Sequence, residues 1–254
     1  VTGRALVDHD LLLEVLRAEV GLLARSAEGA RPELPVPGCP GLTLGETVRH
    51  VGGVHRMALA WLRGGTRPVH WQRQPPVGRA LTEFVLTGLA ELLAELAAHP
   101  AEEVCSTWWT VDQTYGFWRR RMAHEATVHR VDVQGAAGLE IDPIDEQIAL
   151  DGIDEVLTLW FAHRLTVLGV SGTASCKVAV QAAGHTWLVS AGPKGTAAWR
   201  TSEADAAQAQ AVITGSARDV YLWLWGRVSN RHVRVQRDHD AVAQVWALLR
   251  LATR

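Results

Sequence analysis

The hydrophobic pattern of this chain changes character near Gly169–Gly172, from helical spacing to a mixture of strands and helices, and that change limits what it can fold into. Before it, apolar residues recur at helical spacing: Val7, Leu11, Leu12, Val15, Leu16, Val20 and Leu23 form a stripe over residues about 7–26. A Pro- and Gly-rich connection runs from Arg31 to Gly41. Thr43, with Glu46 three residues on, then makes a capping box for a second helix over about 44–63. Gly64, Gly65 and Pro68 end it. Further helices are predicted over about 81–98, from near Tyr115 to Gly135–Gly138, and over about 145–165. After the change, Ala174–Ala182 and Thr186–Ala191 read as strands around a turn at Gly184. Gly195–Thr201 and Ala209–Thr214 are two more, and Ser216–Trp225 and Ala241–Ala252 are helical. Helices succeeded by strands with helices predict an α plus α+β chain, a helical domain over 1–168 and a smaller α+β domain over 169–254.

The chain has 254 residues, room for two domains of ordinary size. Its net charge of -2 supplies no field of one sign to hold nucleic acid or an anionic membrane. The run Arg119, Arg120, Arg121 is short, and Arg227, Arg231, Arg234 and Arg237 are spread out; a solvated helix face is the commoner explanation for such residues. The three cysteines, Cys39, Cys105 and Cys176, stand far apart and form no C-x-x-C pair, against both a disulfide framework and a cysteine-rich zinc site. Apolar runs break well before the roughly 20 residues that span a bilayer. Asp8, His9 and Asp10 interrupt any signal-peptide pattern, so the expected location is the cytoplasm.

The fourth helix carries His124-Glu125-Ala-Thr-Val-His129. Glu125 and His129 stand four residues apart, on one face and one turn from each other. Trp118 and Met122 extend that face, which directs it toward a bundle interior. A carboxylate and an imidazole placed there need partners, because unpaired buried polar groups are costly. A shared cation is one solution, since Glu oxygen and His nitrogen are both ordinary zinc ligands. Mutual hydrogen bonding is the other, and the commoner one for an isolated E-x-x-x-H. His124 faces about 100° away. A catalytic site also wants a third protein ligand and an open position. The second helix offers His50, in line with Val54, Met57 and Trp61, and His55, in line with Val48, Val51, Ala58 and Leu62. Both faces are apolar, so periodicity leaves both histidines open.

The segment Thr43-Leu-Gly-Glu-Thr-Val-Arg-His50-Val-Gly-Gly-Val-His55-Arg56, with Arg121-Met-Ala-His124-Glu125-Ala-Thr-Val-His129-Arg130-Val-Asp132, resembles the mycothiol-dependent maleylpyruvate isomerase family. Gly184-His-Thr-Trp187, Ala211-Val-Ile-Thr-Gly215-Ser216-Ala217 and Leu222-Trp-Leu-Trp-Gly226-Arg227 continue the likeness into the second half. The resemblance implies a DinB-like up-down four-helix bundle with a sterol-carrier-like α+β domain after it. It also implies metal ligands at His50, Glu125 and His129, with His55 at a non-ligand position.

By the same resemblance, the protein is expected to be a zinc enzyme, or one using another divalent transition metal, with mycothiol or a similar low-molecular-weight thiol as cosubstrate. Held as zinc thiolate, the thiol would add to the double bond of an electrophile such as maleylpyruvate. The resulting single bond would rotate, and elimination would return the thiol with the isomerised product. Neither ligand segment contains a cysteine, which suits an external thiol. Arg227 is the expected carboxylate contact, a guanidinium being able to grip a carboxylate in bidentate fashion; a helix-end arginine capping carbonyls is the equal alternative. Asp132 is a candidate to orient His129, or a surface ion-pair member. Trp223 and Trp225 are expected to serve packing. Competing functions are a mycothiol S-transferase of detoxification or natural-product biosynthesis and a non-enzymatic metal- or ligand-binding protein. A weaker competitor is a hydrolase using metal-bound water, with His124 or His55 as base.

Overall fold

A computed structural model describes residues 4–72 and 80–253. The chain divides into two compact units, Val7–Pro143 and a second that takes Ile144 onward together with the segment ending at Leu6.

The first unit is a bundle of four helices: α1 (His9–Ala27), α2 (Leu44–Gly64), α3 (Leu81–Ala97) and α4 (Tyr115–Ala136). Each arises from its sequence signals. Asp8 caps α1 by accepting from the Asp10 backbone N–H, and Leu12, Leu16, Val20 and Leu23 on its inner stripe are wholly buried. Thr43 and Glu46 form the expected capping box on α2, whose last turn closes on Gly65 at a φ of 71°, a left-handed position suited to glycine. Around the bundle the neighbours run α1–α4–α2–α3, so the α1–α2 and α3–α4 connections cross diagonals. Two glycines let α2 and α3 approach closely: a Cβ on Gly52 would lie 2.6 Å from the Phe84 ring, and one on Gly88 would lie 2.5 Å from the Arg56 guanidinium.

Helix α4 is unusual in its burial of charge. Arg119, Arg120 and Arg121, expected on a solvated face, are 5 %, 2 % and 3 % exposed. Each therefore needs partners inside the protein. Arg119 donates to Asp10 and to the carbonyls of Leu96 and His99. Arg130, wholly buried, pairs with Glu19 on α1 through Nε–Oε2 at 2.6 Å and donates to Gln134. A run of basic residues does not show whether carboxylates and carbonyls elsewhere in the chain will meet it, so its burial is not legible from the run itself.

The second unit is built on a five-stranded sheet of order β3-β2-β1-β4-β5, from β1 (Cys176–Ala182), β2 (His185–Gly192), β3 (Gly195–Thr201), β4 (Ala211–Gly215) and β5 (Arg234–Arg237). Only the β1–β4 pair is parallel. Ala183 and Gly184, both at positive φ, make the two-residue turn that joins β1 to β2. Strand β5 is not among the expected elements; it has four residues, mostly exposed, and no alternating pattern to announce it. Helices α5 (Glu146–Glu155), α6 (Leu165–Val167), α7 (Glu203–Ala206), α8 (Ala217–Leu224) and α9 (His239–Ala252) complete the unit, with a π-helical stretch at Val156–Arg164 joining α5 to α6.

The division at Pro143/Ile144 differs from the boundary expected near Gly169. The α5–α6 helix goes with the sheet: Asp154 accepts from Trp187 Nε1 at 2.9 Å, Thr196 donates to the Phe161 carbonyl, and Gly152 lies so close to Tyr221 that no Cβ would fit. Periodicity identifies a helix and its buried face but not the element that covers it. Among the described residues, no helix is long and apolar enough to cross a membrane.

Candidate metal centre

The phase of α4 is set at its start, where Thr114 accepts from the Phe117 backbone N–H. From there Trp118 and Met122 are buried, and the same face continues to Glu125 and His129. Helix α2, a neighbour of α4, brings His50 to them. His50 Nε2 lies 3.0 Å from Glu125 Oε1, and His129 Nε2 lies 3.3 Å from the same oxygen. One potential ligand atom from each of the three residues lies within 4.8 Å of the others.

The partners on the outer side of this group are as specific. His129 Nδ1 is 2.9 Å from Asp132 Oδ2, a carboxylate whose side chain is 1 % exposed. With Nδ1 donating to Asp132, Nε2 is left to face Glu125. Glu125 Oε2 accepts from the Arg121 guanidinium at 3.1 Å. Trp71 stands edge-on to His50, with ring centroids 5.6 Å apart, and Arg67 lies over the Trp71 ring. No recognisable spacing in the sequence singles out Trp71, whereas Arg121, four residues before Glu125, has the spacing of a helical ion pair and is a partner that reading for donors alone passes over.

Electrostatics keep Glu125 and His129 ionised. Burial alone would raise the Glu125 pKa, but the His129 charge, hydrogen bonds from both histidines and Arg121 hold it well below the usual carboxylate range. Burial alone would lower the His129 pKa; Glu125 and Asp132 instead push it up to about 9. A carboxylate balanced by a proton on the facing imidazole is an arrangement that a cation can replace, because ligand histidines must be neutral and their lost proton is exchanged for the metal charge.

The residues suit a metal on two counts. Zinc bonds of about 2.0–2.1 Å in tetrahedral array put neighbouring donor atoms roughly 3.3 Å apart, and the two His–Glu separations are 3.0 and 3.3 Å. Three protein donors also leave coordination positions for exogenous ligands.

His55 takes no part. It is 1 % exposed, its Cβ lies against α3 near Gly88, and burial lowers its pKa to about 4. His124 is wholly buried but outside the three-donor group. Of the cysteines, Cys105 has its thiol pushed up to about 12 by burial and by Asp112 and Glu103, the reverse of an activated nucleophile. Arg227 belongs to the second unit, where Gly226 and Arg227 end α8 with backbone bonds to Trp223 and Leu222. Its guanidinium donates to the Trp225 carbonyl at 2.7 Å, as a carbonyl-capping arginine does. Trp223 and Trp225 are buried.

Comparison with known proteins agrees with this architecture. Residues 13–134 match the family model for the mycothiol maleylpyruvate isomerase N-terminal domain, a span that contains all three candidate donors and ends before α5. Among solved structures, the crystal structure of the mycothiol-dependent maleylpyruvate isomerase superposes with a TM-score of 0.59 at 14% identity, covering 91% of this chain and 93% of that one. A histidine-to-alanine mutant of the same enzyme gives 0.59 at 13% identity over the same shares of each chain. No curated protein matches. At such identities the superpositions establish the fold, a helical N-terminal domain with a small α+β one after it. Residues 13–134 of this chain are thus a domain of the mycothiol maleylpyruvate isomerase N-terminal type.

Proposed function

We propose that this protein is a thiol-dependent enzyme whose metal is held by His50, Glu125 and His129, and that it acts on small electrophiles as a maleylpyruvate isomerase-like cis-trans isomerase. The observation that carries the reading is the convergence of two imidazole Nε2 atoms on one carboxylate oxygen inside a helical bundle. A divalent cation at that point, zinc foremost, would favour the thiolate form of a bound thiol at neutral pH.

The chain's own residues prepare the site for this. Asp132 fixes the His129 ring, and Arg121 neutralises Glu125. His50, a quarter exposed at its side chain, marks the side open to small molecules. The thiol comes from outside, as mycothiol or a similar compound, since no cysteine joins the donor group and Cys105 is held protonated. Thiolate addition to an activated double bond, rotation about the resulting single bond and elimination regenerate the thiol and isomerise the substrate.

The test is metal content by mass spectrometry on the wild type and on His50→Ala, Glu125→Ala and His129→Ala, and then incubation with mycothiol and maleylpyruvate. About one zinc per chain in the wild type, lost in each variant, is the expected result for a three-ligand site. Fumarylpyruvate with the thiol returned identifies the isomerase, and a stable thiol adduct identifies an S-transferase instead. A wild type that stays metal-free after exposure to zinc overturns the proposal and leaves a binding protein.

A further inference from the structure

We infer that Arg121 is a positioning residue for the carboxylate donor of this centre: it holds Glu125 Oε2 so that Oε1 alone is offered to a cation. The inference rests on the metal-site reading above and deepens it.

The two oxygens of Glu125 are divided between different partners. Oε1 lies 3.0 Å from His50 Nε2 and 3.3 Å from His129 Nε2. Oε2 is taken by the Arg121 guanidinium at 3.1 Å, from one turn earlier on α4. A carboxylate binds a metal through one oxygen or through both, and two-oxygen binding here requires Oε2 to leave Arg121. Arg121 is 3 % exposed, so moving Oε2 away would break a buried charge-assisted hydrogen bond, an unfavourable change. The ion pair therefore fixes the donor count at three and preserves the open positions on which exogenous ligands depend.

Arg121 also has an electrostatic effect with a distinctive sign. Its positive charge cancels that of Glu125 and opposes an incoming cation. Losing it should tighten metal binding while making the carboxylate two-pronged. A residue that merely supported the fold would, on removal, loosen the donors and weaken binding. The two roles thus predict opposite directions for one measurement.

The experiment is a titration of the metal-free full chain with Co²⁺ against a competing chelator, monitored by visible absorption. It compares the wild type with Arg121→Met, Arg121→Gln and Arg121→Lys. The expected result is binding about tenfold tighter in Arg121→Met and Arg121→Gln, with weaker visible bands that signal a higher coordination number. Arg121→Lys, which keeps the charge, should stay near the wild type. The glutamine variant, which keeps a hydrogen-bond donor, carries the comparison if the methionine variant does not fold. Wild-type affinity and band intensity in the charge-removing variants, or weaker binding in them, overturns the role of Arg121 and leaves the metal site standing. A wild type that takes up no Co²⁺ overturns the metal site itself, and this inference with it.

Discussion

Two histidines five residues apart on α2 have opposite fates, and the cause lies outside their own helix. His50 meets Glu125 across the bundle, whereas His55 is buried against α3, its pKa shifted down to about 4 by burial, with the backbone of Val85, Glu125, Arg56 and His50 as lesser influences. The unfolded chain binds a proton at His55 below about pH 6.5 and the native protein does not until about pH 4. Stability from this residue is therefore whole above pH 6.5 and falls as the pH drops toward 4, by about 2 kcal/mol between pH 7 and pH 5. Urea denaturation at those two pH values checks it, and His55→Gln should reduce the slope. In the sequence both faces of α2 are apolar, and the choice of His50 comes only through family resemblance; no residue of α2 announces that Glu125 will stand opposite it. Asp132, by contrast, is legible as a partner of His129 from its spacing, and its carboxylate lies 2.9 Å from the ring nitrogen. Asp132→Asn should lower zinc affinity by roughly 10- to 100-fold while leaving the fold intact, as competition with a chelator would report.

At the scale of elements, caps and small residues do most of the specifying. The Thr43–Glu46 box, the Gly65 stop and the Ala183–Gly184 turn are all marked by residue type, and the helices and first four strands lie close to their expected places. Strand β5 and the short helix α7 escape notice, because four residues carry too little pattern to rise above a loop. Close approach is equally hidden, although it matters for the centre: α2 carries His50, and its seat on α3 depends on Gly52. Gly52→Ala places a methyl 2.6 Å from the Phe84 ring and should destabilise the protein. The expected cost is about 1–3 kcal/mol, visible as a lower melting temperature with the second unit's sheet signal retained in the native baseline. An unchanged melting temperature would show that Phe84 swings aside freely.

Over the whole molecule, the sequence reveals the class of each part better than where one part ends. The change of pattern near Gly169 is real, but it marks the start of strands and not the edge of a unit; the preceding helix packs on the sheet through Asp154 and Phe161. All three candidate donors lie within the first unit, on helices that meet through tertiary packing and are separated by 75 residues at their His50–Glu125 contact. On the proposed reading, a cation shared by α2 and α4 would bind the folded bundle and not the unfolded chain, so removing it should lower the melting temperature. At a free zinc concentration 100-fold above the dissociation constant, that linkage is worth about 2.7 kcal/mol, and chelation with later zinc addition should reverse the shift. The same bridge would turn occupancy of the centre into a thermal signal. Candidate thiols and electrophiles that ligate it can be sorted from a library by melting curve, before any product of the reaction has been identified.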